Sequence, residues 1–329
     1  MTFEWQSTGV LVTGATGFIG GWLASELVGR GARVVVIERD IDPRVFEVHP
    51  ELWGSAVRVP GDIIDLSIVR RALADYDIKV VFHLAAQASV GSALVDPFGT
   101  FESNIRGTYT VLEACRIVGR VERIVVASSD KAYGDQALLP YTEETSTLNG
   151  RFPYDASKAA ADIVTSSYFH TFGLPIAITR NANTYGGGEL GGHRLVPEVI
   201  DAVLSGRAPV IRSDGTPERD YLYIDDAVRG YVTLAEQVHR DDVKGEAFNL
   251  GAGIPISVID AVRMVLKVAG SDVEPEVRGT AKNEITRQYV SFAKANRLLG
   301  WSPKYSLEEG LTETLEWYRA HPNLLRSWN

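Results

Sequence analysis

The chain has 329 residues, with 33 Lys and Arg against 42 Asp and Glu, so its net charge is −9 at neutral pH. Its 45% hydrophobic and 23% charged residues are typical of a globular protein and exclude wholesale disorder. The acidic balance argues against nucleic acid as a partner, because phosphate backbones require a basic surface. No apolar run approaches the ~20 residues that cross a bilayer, the first residues show no signal-like pattern, and Cys115 is the only cysteine. We therefore expect a cytoplasmic protein without a membrane partner.

Strand and helix patterns alternate along the chain as far as Arg180. Short β-branched and apolar runs predict strands, and apolar residues at helical spacing predict helices between them. The predicted strands are 10–12, 34–37, 57–59, 79–84, 123–127 and 175–179. The predicted helices are 22–28, 66–74, 108–118 and 154–172, the last entered by Pro153. This alternation predicts an α/β fold of the Rossmann type, a doubly wound parallel sheet with helices on both faces.

The chain becomes irregular and rich in glycine and proline beyond Arg180. We therefore divide it into a first domain, 1–182, and a smaller mixed lobe, 183–329. A strand at 209–211 and a helix at 225–238 are predicted in the second part. We expect the segment 219–242 to return to the first domain.

A glycine loop from Gly14 to Gly20 lies between the first strand and the first helix. Glycines at such a turn let the backbone approach a pyrophosphate, and the helix N-terminus favours the anion. Glu38 ends the second strand and can accept ribose hydrogen bonds and repel a 2′-phosphate, whereas Arg39 could hold that phosphate. The alternative is a tightly packed turn with Glu38 as a solvated strand end.

We expect NAD rather than NADP as the cofactor, and a first domain that binds it. Residues after the third and fourth strands would border the dinucleotide. The predicted cofactor-binding residues are Gly14, Thr16, Gly17, Phe18, Ile19, Gly20, Glu38, Arg39, Asp62, Ile63, Leu84, Ala85, Ala86, Gln87, Tyr154 and Lys158.

Tyr154 and Lys158 lie four residues apart in a predicted helix and share one face. A nearby ammonium lowers the pKa of a phenol, which can then remove a hydroxyl proton as hydride leaves the same carbon. A serine-rich segment, 128–134, closes the fifth strand at the edge of the sheet where ligands bind. Taken singly, each pattern is also consistent with a solvated helix position or a polar turn.

Together these segments resemble the extended short-chain dehydrogenase/reductase superfamily over nearly the whole chain. The marks are Gly14-x-x-Gly17-x-x-Gly20, Tyr154-x-x-x-Lys158, the serine strand end, 180–186, 219–226 and Leu299-Gly300-Trp301-x-Pro303. The resemblance implies that Ser129, Tyr154 and Lys158 form a catalytic triad. It also implies that Asn183 and Arg219 hold the phosphates of a nucleotide sugar in the second lobe, and that the protein is a homodimer.

The segment Ser129-Asp130-Lys131-x-Tyr133 is most similar to CDP-glucose 4,6-dehydratases within that superfamily. Related dTDP-glucose dehydratases have Asp-Glu at the two middle positions, and 4-epimerases usually have small uncharged residues there. The resemblance implies an NAD-dependent lyase that oxidises C4, eliminates water across C5 and C6 and returns the hydride to C6. Asp130 is the expected acid, and Lys131 is the expected base or enolate stabiliser.

Other functions remain open on the sequence alone. A nucleotide-sugar 4-epimerase or decarboxylase would share the oxidation at C4 with a 4,6-dehydratase. A simple alcohol dehydrogenase would instead consume external cofactor. An NAD(P)-sensing protein would bind the cofactor and catalyse no reaction. His193 and Arg194 lie in a variable loop, where they could contact a substrate or form a solvated turn.

Overall fold

A computed structural model describes residues 3–191, 194–280 and 285–325. The strands are β1 (Gly9–Thr13), β2 (Arg33–Glu38), β3 (Val57–Pro60), β4 (Ile78–His83), β5 (Arg123–Ser129), β6 (Ile176–Asn181), β7 (Asn183–Tyr185), β8 (Val210–Ile211), β9 (Glu218–Arg219), β10 (Tyr221–Tyr223), β11 (Ala247–Leu250), β12 (Ile256–Ser257), β13 (Glu276–Val277) and β14 (Arg287–Gln288).

The helices are α1 (Phe18–Gly29), α2 (Val45–Val48), α3 (Pro50–Ser55), α4 (Leu66–Asp75), α5 (Val90–Val95), α6 (Pro97–Phe101), α7 (Gly107–Val118), α8 (Pro153–Phe172), α9 (Leu195–Leu204), α10 (Ile224–Gln237), α11 (Val258–Ala269), α12 (Ala293–Leu299), α13 (Leu307–Ala320) and α14 (Pro322–Leu325). A π-helical segment spans Glu102–Arg106, and a 3₁₀ turn spans Asp130–Tyr133.

Seven parallel strands form the central sheet in the order β11-β6-β5-β4-β1-β2-β3. Successive strands are added outward on either side of the neighbours β1 and β4, so the order reverses between these two. The carboxyl ends of the strands leave a crevice at such a reversal, and ligands of open α/β sheets bind there. The predicted doubly wound fold of the Rossmann type is confirmed.

Alternate residues of the central strands pack into two hydrophobic clusters, one on each face of the sheet. Val10 and Val12 join a cluster with α1 and α10, whereas Leu11 joins a cluster with α4 and α7. Every residue of β1 is buried, because helices cover both faces. This double burial is why the strands are continuous apolar runs in the sequence.

A smaller lobe follows β6 and has its own core around α9, α11 and α13. Its strands form two pairs, β7–β10 and β8–β13, and one small sheet, β12-β9-β14. Two later elements belong to the large sheet instead: α10 packs on α1, and β11 pairs with β6. The strand β11 was not predicted. The assignment of the cofactor to the first domain and of the nucleotide sugar to the smaller lobe stays a prediction.

A buried hydrogen-bond network ties helix α8 to the sheet. Arg180 of β6 donates to the two carboxylate oxygens of Asp162 at 2.8 and 3.0 Å, and to the Tyr133 hydroxyl at 2.8 Å. The Tyr133 hydroxyl donates in turn to Asn249 Oδ1 at 2.8 Å. The network therefore fixes α8 relative to β6, β11 and the 3₁₀ turn.

Asp162→Ala would leave the Arg180 guanidinium buried without its carboxylate. We expect the free energy of unfolding, measured by urea denaturation, to fall by about 3–5 kcal/mol. As a control, Glu26→Ala removes the carboxylate of an exposed ion pair with Arg30 and should change it by less than about 1 kcal/mol. Equal losses in the two variants would contradict this assignment.

Candidate active site

The glycine loop packs against the end of β4 with no room for side chains. Gly14 has a φ of +79°, which favours glycine. A Cβ on Gly14 would lie 2.7 Å from the Ala85 backbone nitrogen, and one on Gly20 would lie 2.1 Å from the Gly14 carbonyl oxygen. The turn thus brings the start of α1, with Thr16, Gly17, Phe18 and Ile19, to the carboxyl edge of the sheet. This close-packed cradle fits a bound pyrophosphate.

A chain of buried hydrogen bonds anchors the two strands that border this loop. Thr13 Oγ1 lies 2.8 Å from His83 Nδ1, and His83 Nε2 lies 3.0 Å from Thr108 Oγ1. Burial lowers the pKa of His83 to about 3, so the ring is neutral. A neutral imidazole can donate from one nitrogen and accept at the other, and it therefore bridges β1, β4 and α7.

Charged side chains at the ends of β2 and β3 pair with one another. The buried carboxylate of Glu38 accepts two hydrogen bonds from Arg58 Nε, at 2.9 and 3.1 Å. Arg39 donates to Asp40 at 2.7 Å and to Asp62 at 2.9 Å. Two carboxylates thus already pair with the Arg39 guanidinium, which makes it less available to bind another anion.

Asn104 connects the loop after β4 to the helix of Tyr154. Its side chain accepts from the Gln87 N–H at 2.7 Å and donates to the Gln87 carbonyl at 3.1 Å and to Ser157 Oγ at 2.8 Å. Ser157 Oγ donates to the Tyr154 carbonyl at 2.7 Å. Sequence analysis missed Asn104, because its partners are 17 and 53 residues away and no short motif marks it.

Ser129, Tyr154 and Lys158 meet at the carboxyl end of β5. Ser129 is the last residue of that strand, and its side chain lies close enough to that of Tyr154 to lower the pKa of the phenol. Lys158 Nζ donates to the Ala127 carbonyl on the same strand at 3.0 Å. The structure therefore brings the three residues of the predicted triad together.

Burial controls the protonation of this group. It raises the pKa of Tyr154, although the charge of Arg194 and the hydrogen bond from Ser129 act in the opposite direction. The expected lowering of that pKa by Lys158 is therefore not what the structure shows, because loss of solvent outweighs the nearby charges. Burial also lowers the pKa of Lys158 to about 8, against the charge of Asp162.

Asp130 and Lys131 are neighbours in the 3₁₀ turn that follows Ser129, with Asp130 buried and Lys131 half-buried. Asp130 Oδ1 accepts from Ser129 Oγ at 3.1 Å, and Oδ2 has no hydrogen-bond partner among the described residues. Lys131 Nζ donates to Gln288 Oε1 at 2.6 Å. Burial raises the pKa of Asp130 and lowers that of Lys131, so it favours the neutral form of both.

A cavity of about 450 Å³ lies beside this turn, between the large sheet and the smaller lobe. Arg219 donates to the carbonyls of Glu218 and Ile285 at 2.8 and 2.7 Å. Burial raises the pKa of Asp155, which follows Tyr154, to about 6. The polar and charged residues of the wall include Lys131, Asp155, Asn183, Glu189, Arg194, Arg212, Arg219 and Gln288.

The cavity wall brings together only part of the predicted site. Lys131, Asn183 and Arg219 line it, but Ser129, Asp130, Tyr154 and Lys158 and the glycine loop lie outside its wall. Arg194 lines it as well, whereas His193 lies outside the described residues. No signal in the sequence marked Gln288.

In the described ranges, no group of three or more His, Cys, Asp or Glu side chains is arranged to hold a metal ion. No helix in these ranges is long and apolar enough to cross a membrane.

A comparison with known families agrees with this fold. Residues 11–314 match the model of the family described as GDP-mannose 4,6 dehydratase. The chain belongs to this family of nucleotide-sugar dehydratases and epimerases in the extended short-chain dehydrogenase/reductase superfamily.

Curated relatives include both dehydratases and epimerases. The chain is 32% identical to a dTDP-glucose 4,6-dehydratase of Streptomyces griseus, over 98% of this chain and 96% of the relative. It is 31% identical to a UDP-glucose 4-epimerase of Mycolicibacterium smegmatis, over 94% and 98%. A trifunctional UDP-glucose 4,6-dehydratase, 3,5-epimerase and reductase of Arabidopsis thaliana is 30% identical over 95% of this chain, which spans only 47% of that protein.

Solved structures show the same two activities. A dTDP-glucose 4,6-dehydratase from Streptomyces venezuelae, with NAD and TDP bound, has a TM-score of 0.86 and 28% identity over 96% of this chain and 98% of that chain. A UDP-glucose 4-epimerase from Thermotoga maritima, with UDP-glucose, has a TM-score of 0.88 and 29% identity over 96% and 100%. Overall similarity therefore does not separate dehydratase from epimerase, and the site residues have to decide.

Gly14→Ala tests the close approach of the glycine loop to β4. The added methyl group would meet the Ala85 backbone at a positive φ, so we expect a loss of about 1–3 kcal/mol in the free energy of unfolding. Gly29→Ala is the matched control, because a Cβ there meets nothing within 4 Å. It should leave stability unchanged or raise it, and a tolerated Gly14→Ala would contradict the geometry of the loop.

Proposed function

We propose that this protein is an NAD-dependent nucleotide-sugar 4,6-dehydratase that acts on CDP-glucose or a close analogue. The observation that carries the proposal is the adjacent pair directly after Ser129, in which Asp130 is buried and Lys131 is half-buried in the wall of the cavity. Burial favours a protonated carboxyl and a neutral amine. A dehydratase needs that pair of states to eliminate water, because it must protonate a leaving hydroxyl and remove a carbon-bound proton.

The residues at the switch point fit a dinucleotide. The glycines let the loop pack against the backbone after β4, which holds the N-terminus of α1 at the carboxyl edge of the sheet, where a pyrophosphate can bind. Glu38 offers a carboxylate at the end of β2, where a ribose would lie, and disfavours a 2′-phosphate. When bound, NAD would accept the hydride from C4 and return it to C6.

Each site residue has a defined task in this scheme. Tyr154 takes the proton of the C4 hydroxyl as its phenolate, once its own phenolic proton has left to solvent, and Ser129 hydrogen-bonds to the same oxygen of the sugar. The resulting 4-ketone makes the C5 proton acidic, and Lys131 removes that proton or stabilises the enolate. Asp130 protonates the departing C6 hydroxyl, which leaves as water. Arg219 and Asn183 hold the diphosphate of the nucleotide in the cavity.

A nucleotide-sugar 4-epimerase or decarboxylase is the second candidate, favoured by the epimerase among the relatives. Such an enzyme shares the oxidation at C4 but needs no acid aimed at C6.

We also propose a cytoplasmic homodimer. Its interface would cover the exposed apolar side chains of α5, α6 and α8, which include Val95, Phe98 and Ile163.

Glu38→Ala tests the choice of cofactor. The unaltered protein should bind NAD more tightly than NADP, and the variant should narrow that gap by about 10-fold or more, because like-charge repulsion is removed. Arg58 then loses its partner and becomes the nearest cation for the phosphate, since Arg39 is held by Asp40 and Asp62. Calorimetric titration measures both affinities, with Glu51→Ala as a surface control. Equal affinities in the unaltered protein would contradict the NAD assignment.

Tyr154→Phe removes the proton acceptor and keeps the ring. We expect oxidation at C4 to slow by at least about 10²-fold, the usual effect of losing a positioned acid–base group, with little change in binding. Single-turnover absorbance of NADH measures the step. Tyr168→Phe removes a hydroxyl from the same helix, where it contacts Glu113, and should retain full rate. Full activity of Tyr154→Phe would show that the assignment is wrong.

Lys131→Met and Asp130→Asn should give separable defects. Lys131→Met should still oxidise C4 and accumulate bound NADH, but exchange of the C5 proton with deuterated solvent should slow by about 10²-fold or more. Asp130→Asn should permit that exchange and eliminate water slowly. Mass spectrometry follows both, with Lys267→Met and Asp135→Asn as exposed controls. Normal water elimination by both variants would favour the epimerase.

A further inference from the structure

Gln288 is a buried amide that joins the two lobes at the cavity. Its side chain is 0% exposed and lines the cavity wall. Oε1 accepts the hydrogen bond from Lys131 Nζ at 2.6 Å, across 157 residues of sequence. Nε2 is buried without a hydrogen-bond partner in the described part of the chain. Burying an unpaired donor is unfavourable for stability, so a purely structural role does not explain this residue.

The backbone of Gln288 is held from two sides. In the small sheet, β14 pairs with β9, and Gln288 lies opposite Arg219. Just beyond it, Tyr141 accepts from the Ser291 N–H at 2.8 Å and donates its own N–H to the Tyr289 carbonyl at 3.0 Å. The amide therefore projects from a fixed strand rather than from a loop, and it can impose one direction on a flexible lysine side chain.

We propose that Gln288 is a positioning residue, which directs Nζ of Lys131 toward C5 of the sugar without adding a charge that would keep the amine protonated. The inference rests on the proposed function, because it assigns Gln288 to the step that Lys131 performs. Both hydrogens of Nε2 are unpaired among the described residues and can be donated to a ligand in the cavity. Gln288 thus acts through Lys131 and is not itself the acid or the base.

The neutrality of the amide matters because Lys131 already faces charges of both signs. Asp130 in its own turn and Asp155 of α8 favour its ammonium form, while Arg219 of β9 and Arg194, just before α9, favour the amine. Burial lowers its pKa further. A carboxylate in place of the Gln288 amide would add one negative charge in hydrogen-bond contact with Nζ, which shifts the balance toward the ammonium.

The test uses the full chain with NAD and CDP-glucose in deuterated buffer over a range of pH. Two rates are measured, exchange of the C5 proton by mass spectrometry and oxidation at C4 by NADH absorbance. Gln288→Glu should raise the pH of half-maximal C5 exchange by at least about one unit. Gln288→Leu, similar in size but without the amide, should slow C5 exchange by about 10-fold or more. Both variants should oxidise C4 within about 3-fold of the unaltered rate, because Tyr154 and Ser129 are untouched.

Gln136→Leu is the matched control, because it removes an amide that contacts only the Tyr133 and Thr147 carbonyls. It should leave both rates and the pH profile unchanged. An unmoved pH profile in Gln288→Glu together with normal exchange in Gln288→Leu would overturn the inference. Equal slowing of both steps would also overturn it and indicate a structural role. If the unaltered protein oxidises no nucleotide sugar at C4, the proposed function itself fails, which is a distinct result.

Discussion

A buried carboxyl, Asp130, and a half-buried amine, Lys131, lie side by side at the carboxyl end of β5, and neither forms an ion pair within the described residues. Each contacts a neutral partner instead, Ser129 for the carboxyl and Gln288 for the amine. Burial without charge pairing penalises the ionised form of both groups. In the proposed function, these two neutral side chains would serve as the acid and the base beside Ser129.

The surrounding structure restricts how this turn can move. The network of Arg180, Asp162 and Tyr133 ties the turn to α8 and β6, so the catalytic helix and the acid–base pair form one unit. In the smaller lobe, the side chain of Asp220 connects segments that are distant in the sequence. Its carboxylate accepts backbone hydrogen bonds from Ala252, Gly253 and Val290 at 2.8–3.3 Å. The cavity thus lies between two units that are each rigidly connected.

The Rossmann-type sheet was predictable from the sequence because most strands of the central sheet are apolar on both faces and alternate with helical patterns. The strand β11 escaped prediction because it has only four residues, one of which is the polar Asn249. The shared helix face of Tyr154 and Lys158 was predictable because they are one helical turn apart, whereas their place in a triad with Ser129 was implied by the family resemblance and stays a prediction. Gln288 and Asn104 were not, because their contacts depend on how distant segments meet and leave no local pattern. The burial that raises the pKa of Tyr154 is likewise a property of the folded chain.

Elimination of water distinguishes a dehydratase from the epimerases, decarboxylases and simple alcohol dehydrogenases of the same superfamily. The most direct measurement incubates the unaltered protein and NAD with a panel of CDP-, dTDP- and UDP-linked glucose and records product mass and net NADH. The proposed function predicts a product lighter by one water from CDP-glucose, a methyl group at C6 and no net NADH. A product of unchanged mass with inverted configuration at C4 would contradict it and identify an epimerase.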